Sequence, residues 1–459
     1  MKNSSAWATA LFLLTLATAC QRGPSVDLAT TFTPQQLQED VAHLIYNLEQ
    51  RHIDFYQRAN RDSVLHMRER VMAQLDRPMN RTEFFRVVGQ LNPYFRDAHC
   101  LVFPLIEEAD EQTENGQPPF PFHVVIDETG ALRPERTYER ASDGAQINKT
   151  WRIESINGIA ADEILNTIER YSHGETKLLR RHMTTLLFAD WLFTLYGWAG
   201  AFEIIFDKVD ASLRTQPGDS WKSLENNIVQ YSRLEVLENE IGYLRLGSFD
   251  VDEHEDAYET FVEQAFDSLR NQNIHKLIID VRGNTGGQSD AGALVLQYLT
   301  DRKLSQVSTA YDRIHEGNAG WLNYRGKPGT VKELDLSEDD LIKPIDSGKR
   351  FDGKTVVLFD EMTYSAGIIF ITIVQDHKLA RTIGRPTGGF ANQTGNIEAF
   401  RLPHTKLLVY APARKFVRPN GNASVHVVTP DVVVARPDTT IEADHVLLQA
   451  LEELRSGRK

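Results

Sequence analysis

The sequence predicts a multi-domain α/β protein with a largely parallel sheet in its C-terminal half. Short apolar runs rich in β-branched residues, such as "KLIIDVRG" and "KTVVLFD", are typical of buried strands. Helical patterns lie between and after them, among them "EDAYETFVEQAFDSLRNQ", "DAGALVLQYL" and "SAGIIFITIVQDH". Strands that alternate with helices indicate right-handed crossovers and a parallel core. Ligands of such sheets bind beyond the carboxyl ends of the strands.

The first half of the chain indicates two further domains. Residues 33–95 have a capping residue, Thr33, and a proline at the first helical position, so we expect a small helical domain there. Residues 107–120 are acidic and polar with prolines, which is typical of a surface loop. The strand-like pieces "FHVVID", "TWRIESING" and "AFEIIFD" surround the helical pattern "AADEILNTIERY". They predict a compact α+β domain over 118–210, and the α/β core is expected over 230–445.

Composition and charge exclude one class of function. The chain has 459 residues, of which 41% are apolar and 25% charged, as in an ordinary soluble globular protein. Its formal net charge is −14. A general nucleic-acid binder needs basic patches that face phosphates, so we expect no nucleic-acid partner.

The N-terminal segment is typical of a bacterial lipoprotein signal. "MKNSSAWATALFLLTLATAC" has an early lysine, an apolar run too short to span a bilayer, and small residues before Cys20. We expect residues 1–19 to be removed, Cys20 to be lipidated and residues 20–32 to form a tether. The alternative is an ordinary signal peptide with an incidental cysteine. Either way the mature protein is expected in the bacterial cell envelope, on the periplasmic face or at the cell surface. Cys100 then has no disulfide partner.

Ser365 lies where a predicted strand gives way to a predicted helix, in "LFDEMTYSAGIIF". A serine in this place is either an ordinary helix cap or a hydroxyl held at the end of a sheet. The general Gly-x-Ser-x-Gly signature is incomplete because Thr363 replaces its first glycine. The loop "DVRGNTGGQS" follows another strand and matches no phosphate-binding motif. Its glycines allow either a plain turn or backbone N–H groups aimed at a developing oxyanion.

Several of these segments, in this order, resemble one family. "YLRLGSF", "LIIDVRGNTGG", "VVLFDEMTYSAGIIFI" and "RTIGRPTGG" resemble the core of the S41 peptidases, the tail-specific, C-terminal processing and tricorn-core-like serine proteases. The resemblance implies a ClpP/crotonase-like α/β protease core. "WRIESINGIAADEIL" resembles part of the PDZ-like module that many of these proteins carry, which makes 118–210 a PDZ-like domain. "RDAHCLV" resembles the tricorn-like branch of the family.

The resemblance also implies roles for individual residues. Ser365 matches the nucleophile. The backbone N–H of Ala366 and one from the Gly286-Gly287 pair match the oxyanion donors. His99, on a strand contributed from upstream, matches the general base of the tricorn-like branch. In the branch that uses a Ser–Lys dyad, the lysine follows the glycines, and here Phe390 occupies that place.

The residues around His99 give partial physical support for that role. An unperturbed imidazole titrates near neutral pH, which suits a base that accepts a serine proton. If 97–102 is extended, Asp97 and His99 face the same side, and Asp97 orients the ring. Cys100 then points the other way. The third catalytic member stays open between Asp97 and none, and the role of His426 is undefined.

The sequence therefore predicts a serine endopeptidase of the cell envelope. It hydrolyses peptide bonds of peptide or protein substrates through an acyl-enzyme and needs no cofactor and no metal. Its contact with the membrane is the lipid on Cys20. The alternative is a catalytically silent S41-like protein that binds peptides or small lipophilic ligands, and a third possibility is a scaffold in an envelope assembly.

Overall fold

The computed structural model describes residues 27–127, 129–208, 212–224, 232–237, 240–319, 326–435 and 444–456. The predicted signal peptide and Cys20 lie outside the described residues. The chain forms two compact units. The N-terminal unit comprises the described residues up to 226 together with 398–411, and the C-terminal unit comprises those from 227 to 397 and from 412 onward.

The N-terminal unit begins with helices, as the apolar spacing predicts. The first helix starts in a capping box, in which the Thr33 side chain accepts from the N–H of Gln36 and the Gln36 side chain accepts from the N–H of Thr33. Its buried face includes Leu37, Val41 and Leu44. The helices of this unit are α1 (Pro34–Arg51), α2 (Phe55–Arg58), α3 (Arg61–Met72), α4 (Arg81–Val88), α5 (Asn92–Phe95), α6 (Ile106–Glu114), α7 (Ala161–Glu169), α8 (Lys177–Met183) and α9 (Phe188–Tyr196).

Short strands follow in the same unit. They are β1 (Thr31–Phe32), β2 (Met79–Asn80), β3 (Leu101–Val102), β4 (Val124–Ile126), β5 (Leu132–Pro134), β6 (Tyr138–Arg140), β7 (Gln146–Ile147), β8 (Ile153–Ile156), β9 (Ile159–Ala160), β10 (Phe202–Phe206), β11 (Ser212–Thr215) and β12 (Trp221–Ser223). One sheet has the order β11-β10-β8-β9. A single hydrophobic cluster contains side chains from the helical stretch, from residues 120–206 and from 400–411. The helical and α+β stretches thus share one core.

The structure corrects one expectation for this unit, because residues 106–114 form helix α6 and not a loop. Two glutamates, Glu107 and Glu108, lie in its first turn, where they favour the positive end of the helix dipole. Arg81 lies 2.5 Å from Glu108, and both side chains are buried. The acidic composition that suggested a solvated loop therefore reflects a helix start and a buried ion pair.

The C-terminal unit is built on the predicted sheet, with strands in the order β13-β14-β15-β18-β19-β22. β13 is antiparallel to β14, and the pairs from β14 to β22 are parallel. These strands are β13 (Ser232–Leu237), β14 (Ile241–Leu246), β15 (Lys276–Asp280), β18 (Lys354–Phe359), β19 (Arg381–Gly384) and β22 (Val432–Val433); the second sheet contains β16 (Thr309–Arg313), β17 (Val331–Glu333), β20 (Thr394–Arg401) and β21 (Leu408–Val417). The α/β fold class is confirmed.

Helices cover the parallel sheet, as crossover connections require. They are α10 (Glu255–Asn271), α11 (Ser289–Leu299), α12 (Ala366–Asp376) and α13 (His445–Arg455). Residues Ala366 to Val374 of α12 are all buried. The side chains of Val446 and Leu454 of α13 pack with Ile278 and Val356 of the sheet. Within the described part of the chain, no helix combines the length and apolar character that a membrane span requires.

Candidate active site

Ser365 lies on a strained turn at the start of α12. Its backbone angles are φ 50° and ψ −120°, a region that non-glycine residues rarely adopt. Although Ser365 occupies the N-cap position, its side chain makes no capping hydrogen bond. The helix-cap interpretation is therefore wrong. A strained strand-to-helix turn is the geometry that presents a nucleophilic serine at the end of a sheet.

The glycine loop packs directly on this serine. A Cβ on Gly286 would lie 2.7 Å from the Cβ of Ser365 and 3.0 Å from the nitrogen of Ala366. Gly286 has φ 106° and Gly287 has φ 127°, both in the left-handed half of the map. Only glycine fits the loop against the turn without displacing one of them.

Two backbone N–H groups at this junction stay available. The N–H of Gly286 donates to Oδ1 of Asn284 at 2.9 Å and is therefore occupied. Ala366 is the first residue of α12, so its N–H has no partner within the helix. Among the described residues, no hydrogen bond uses the N–H of Gly287 or of Ala366. This arrangement offers two donors beside Ser365, which is the set that stabilises a developing oxyanion.

Asn284 holds the loop and the serine turn together. Its backbone oxygen accepts from the N–H of Tyr364 at 2.9 Å, and its side-chain nitrogen donates to the Leu246 oxygen at 3.0 Å. The side chain is fully buried. Thr363 adds a second link, since its hydroxyl donates to the Val281 oxygen at 2.8 Å. Asn284 was not among the predicted site residues, although it lies in the "RGNTGG" segment of the glycine loop.

The lysine and histidine alternatives have other partners. Lys406 is half-buried, and its Nζ donates to the Pro403 oxygen at 2.7 Å. His426 lies 3.2 Å through Nε2 from Nη1 of Arg418. Phe390, in the position of the dyad lysine, is buried. These contacts favour neither Lys406 nor His426 as the base.

Asp97 and His99 lie in the N-terminal unit, and the structure corrects the expectation that they share a face of a strand. Residues 97–100 form a turn in which the N–H of Cys100 donates to the Asp97 backbone oxygen at 3.1 Å. Oδ1 of Asp97 accepts from the backbone N–H of His99 at 2.9 Å. The same oxygen is 3.8 Å from Nδ1 of His99. The side chain of Asp97 thus fixes the turn. The strand that follows, β3, contains only Leu101 and Val102 and so includes neither Asp97 nor His99.

Asp97 is a buried carboxylate beside a histidine and an arginine. Its Oδ2 lies 3.3 Å from Nε2 of His52 and 3.6 Å from Nε of Arg58. Burial alone would raise the pKa of Asp97, but the opposite effects of Arg58 and His52 prevail and lower it well below its usual range. Asp97 is therefore ionised at neutral pH. His52 and Arg58 were not predicted, because nothing in their local pattern distinguishes them from other polar helix residues.

His173 adds a second buried imidazole to this region. Burial, followed by the nearby His99, lowers the pKa of His173 to about 4. His173 is consequently neutral at physiological pH. Cys100 is buried and in no disulfide among the described residues, and burial raises the pKa of its thiol well above its usual range. This environment argues against a thiolate nucleophile at Cys100.

Comparison with known proteins finds a family match that lies mainly in the C-terminal unit. Residues 240–434 match the model of peptidase family S41. Over 206 residues the chain is 26% identical to the tail-specific protease of Haemophilus influenzae, a match that covers 44% of this chain and 25% of that protein. The chain thus spans about a quarter of the length of this curated relative.

Solved structures share the fold over most of the chain. The crystal structure of mature CPAF has a TM-score of 0.57 and 14% identity, with 87% of this chain and 92% of that chain covered. Mature CPAF complexed with lactacystin has the same TM-score at 13% identity, with 87% and 94% covered. At these identities the likeness shows the fold alone. The family match itself covers residues 240–434, which are similar to an S41 peptidase domain.

Proposed function

We propose that this protein is a serine endopeptidase that hydrolyses peptide bonds through an acyl-enzyme on Ser365. The observation that carries the proposal is the strained turn at Ser365, whose side chain does not cap α12 and against which Gly286 packs. In the reaction Ser365 Oγ attacks the scissile carbonyl, and the N–H groups of Gly287 and Ala366 donate to the oxyanion. The role of Gly286 is to pack against the turn, since its own N–H is occupied.

The general base is His99. It removes the Ser365 proton during attack and returns it to the leaving amine, and water then repeats the sequence on the acyl-enzyme. The proposal draws on the family resemblance of "RDAH" and on the ionised Asp97, whose Oδ1 is 3.8 Å from Nδ1 of His99. Asp97 fixes the turn that carries His99, and its negative charge stabilises the imidazolium that forms.

The protein works outside the cytoplasm on a lipid anchor at Cys20. This part of the proposal rests on the sequence of residues 1–20. Replacing Cys20 by alanine removes the acyl mass from the mature N-terminus and moves the protein from the membrane to the aqueous fraction. A membrane-bound Cys20→Ala protein would contradict the anchor.

Peptide cleavage tests the activity. The purified chain and its Ser365→Ala variant are incubated with a mixture of unstructured peptides, and the products are identified by mass spectrometry. We expect internal cleavages from the wild type and none from the variant. Identical product patterns would assign any cleavage to a contaminant. Peptides that bind the wild type without being cleaved would favour the catalytically silent alternative.

A further inference from the structure

The N-terminal unit carries an open groove of about 730 Å³, a volume within the range of ligand-binding sites. Its walls come from the C-terminal ends of α3 and α7, the start of α8 and the short helix α5, which contains Pro93. The residues proposed for catalysis do not line it.

The groove concentrates positive charge in an acidic protein. Four cationic side chains line it: Arg70, Arg170, Lys177 and Arg180. Among the described residues that line it, Glu169 is the one carboxylate. The chain as a whole has a formal charge of −14, so this excess of cations is local. Such a local field attracts anionic ligands and raises their association rate.

Three of these cations have no carboxylate partner. Arg70, Arg170 and Lys177 are exposed, and none of them forms an ion pair within the described part of the chain. Arg180 is half-buried, and its Nη1 donates to the Gly174 oxygen at 3.2 Å. Burial lowers the pKa of Arg180 against the opposing effect of Glu169. An incoming anion would therefore meet cations that no internal carboxylate neutralises.

Two arginines of the same unit that lie outside the groove are paired with carboxylates. Arg181, next to Arg180 in sequence, lies 3.0 Å from Asp162. Arg140 lies 2.9 Å from Asp143. Arg181 and Arg140 thus differ from Arg70, Arg170 and Lys177 of the groove, for which the described part of the chain provides no such carboxylate.

The groove also contains neutral groups suited to a peptide backbone. Asn166 accepts through Oδ1 from Arg181, and Gln90 donates through Nε2 to the Arg86 oxygen. Each amide therefore keeps its other polar atom for a ligand. Tyr94 also lines the groove. Guanidinium groups pair with carboxylates in a bidentate geometry, which adds directional contacts to the charge.

We propose that this groove binds an acidic stretch of polypeptide, with Arg70, Arg170 and Lys177 contacting its carboxylates. The ligand is a peptide and not a membrane, because a concave groove with backbone-pairing amides suits an extended chain. The function of the groove goes beyond hydrolysis, since its lining residues belong to the N-terminal unit and do not include Ser365.

The test uses the purified chain with Ser365→Ala, so that no peptide is cleaved. Fluorescence anisotropy measures the binding of a labelled peptide of ten glutamates, with a ten-serine peptide as control. Arg170→Glu combined with Lys177→Glu reverses the charge of the groove. Lys327→Glu combined with Lys332→Glu is the matched control, because both lysines are exposed residues of the C-terminal unit. Circular dichroism verifies that each variant is folded.

We expect the glutamate peptide to bind, with affinity that falls as salt is raised. The groove variant should bind about tenfold more weakly, and the control variant should match the parent. Equal binding by both variants, or no binding at low salt, would overturn the proposal. Binding of phosphatidylglycerol vesicles without binding of the peptide would also overturn it and assign the groove to a membrane. The neutral pair Arg170→Gln and Lys177→Gln gives the same comparison if the charge-reversed protein does not fold.

Discussion

A Cβ atom on Gly286 would lie 2.7 Å from the Cβ of Ser365, closer than two such carbons approach in proteins. Because Ser365 already has a strained backbone, the turn cannot yield without moving its hydroxyl. The glycine loop and the serine turn thus fix each other's position. This relationship leads to the first prediction.

Gly286→Ala should lower the rate of peptide hydrolysis by a factor of about 100 or more, because displacing the serine from its two N–H donors removes oxyanion stabilisation. Steady-state kcat/KM for a peptide substrate measures the effect. Gly348→Ala is the control, since a Cβ at that position meets no atom within 4 Å. Equal activity of the two variants would contradict a role for this packing.

Asn284→Ala should destabilise the C-terminal unit by about 1–3 kcal/mol, because it leaves the Gly286 N–H and the Leu246 oxygen without their buried partner. Denaturant unfolding measures the change. It should also slow the reaction of Ser365, since Gly286, which packs on the serine turn, loses the side chain that holds its N–H. Asn271→Ala, at an exposed position at the end of α10, should change neither quantity. An unaffected reaction rate in a destabilised Asn284→Ala protein would limit Asn284 to a structural role.

The Asp97→Asn variant tests whether Asp97 contributes to folding alone or also to the reaction of Ser365. The substitution leaves Arg58 and His52 with less compensating charge and should cost about 3–5 kcal/mol of folding free energy. Asp54→Asn is a matched control, because Asp54 is buried and lies 3.1 Å from the same Arg58.

Both variants should unfold more easily, but only Asp97→Asn should slow covalent modification of Ser365. The rate is compared at a temperature where both proteins are folded. Equal slowing by the two substitutions would show that Asp97 acts through folding alone.

The lowered pKa of His173 predicts that the free energy of unfolding depends on pH. Its pKa is lowered to about 4, and an unfolded histidine titrates near 6.5. The folded protein therefore binds one proton fewer between these values, and its stability falls as the pH is lowered from 6.5 toward 4. The loss is about 3 kcal/mol for a shift of this size.

Denaturant unfolding of His173→Gln across this pH range checks the assignment. The slope of unfolding free energy against pH should become shallower than in the wild type. His275→Gln should leave the slope unchanged, because His275 is exposed. An unaltered slope in His173→Gln would assign the pH dependence to other groups.

The sequence predicted the parallel sheet well because its signals are local. Buried strands such as β15 and β18 are continuous apolar runs, and α12 follows β18 after a short turn. The position of Ser365 at a strand-to-helix turn follows from the same pattern. Helix α6 was missed because its acidic first turn has the composition of a solvated loop, while the partner of Glu108 is distant in sequence.

The details of the candidate site depend on contacts that a pattern does not contain. The side chain of Asn284 accepts from the N–H of Gly286, so that N–H is not available to an oxyanion and the N–H of Gly287 is. The turn at 97–100 replaces the expected strand because Asp97 accepts from the N–H of His99. His52 and Arg58, the neighbours of Asp97, lie some forty positions earlier in the chain, and their approach requires the tertiary fold.

The most direct test of the central claim is labelling of the protein by a fluorophosphonate probe, which reacts with activated serines. The wild type is compared with Ser365→Ala and His99→Ala, each verified as folded. The account predicts rapid labelling of the wild type at Ser365 and its loss in both variants. A folded wild type that is not labelled would contradict an activated serine. Labelling that persists in His99→Ala would keep the hydrolase and exclude His99 as its base.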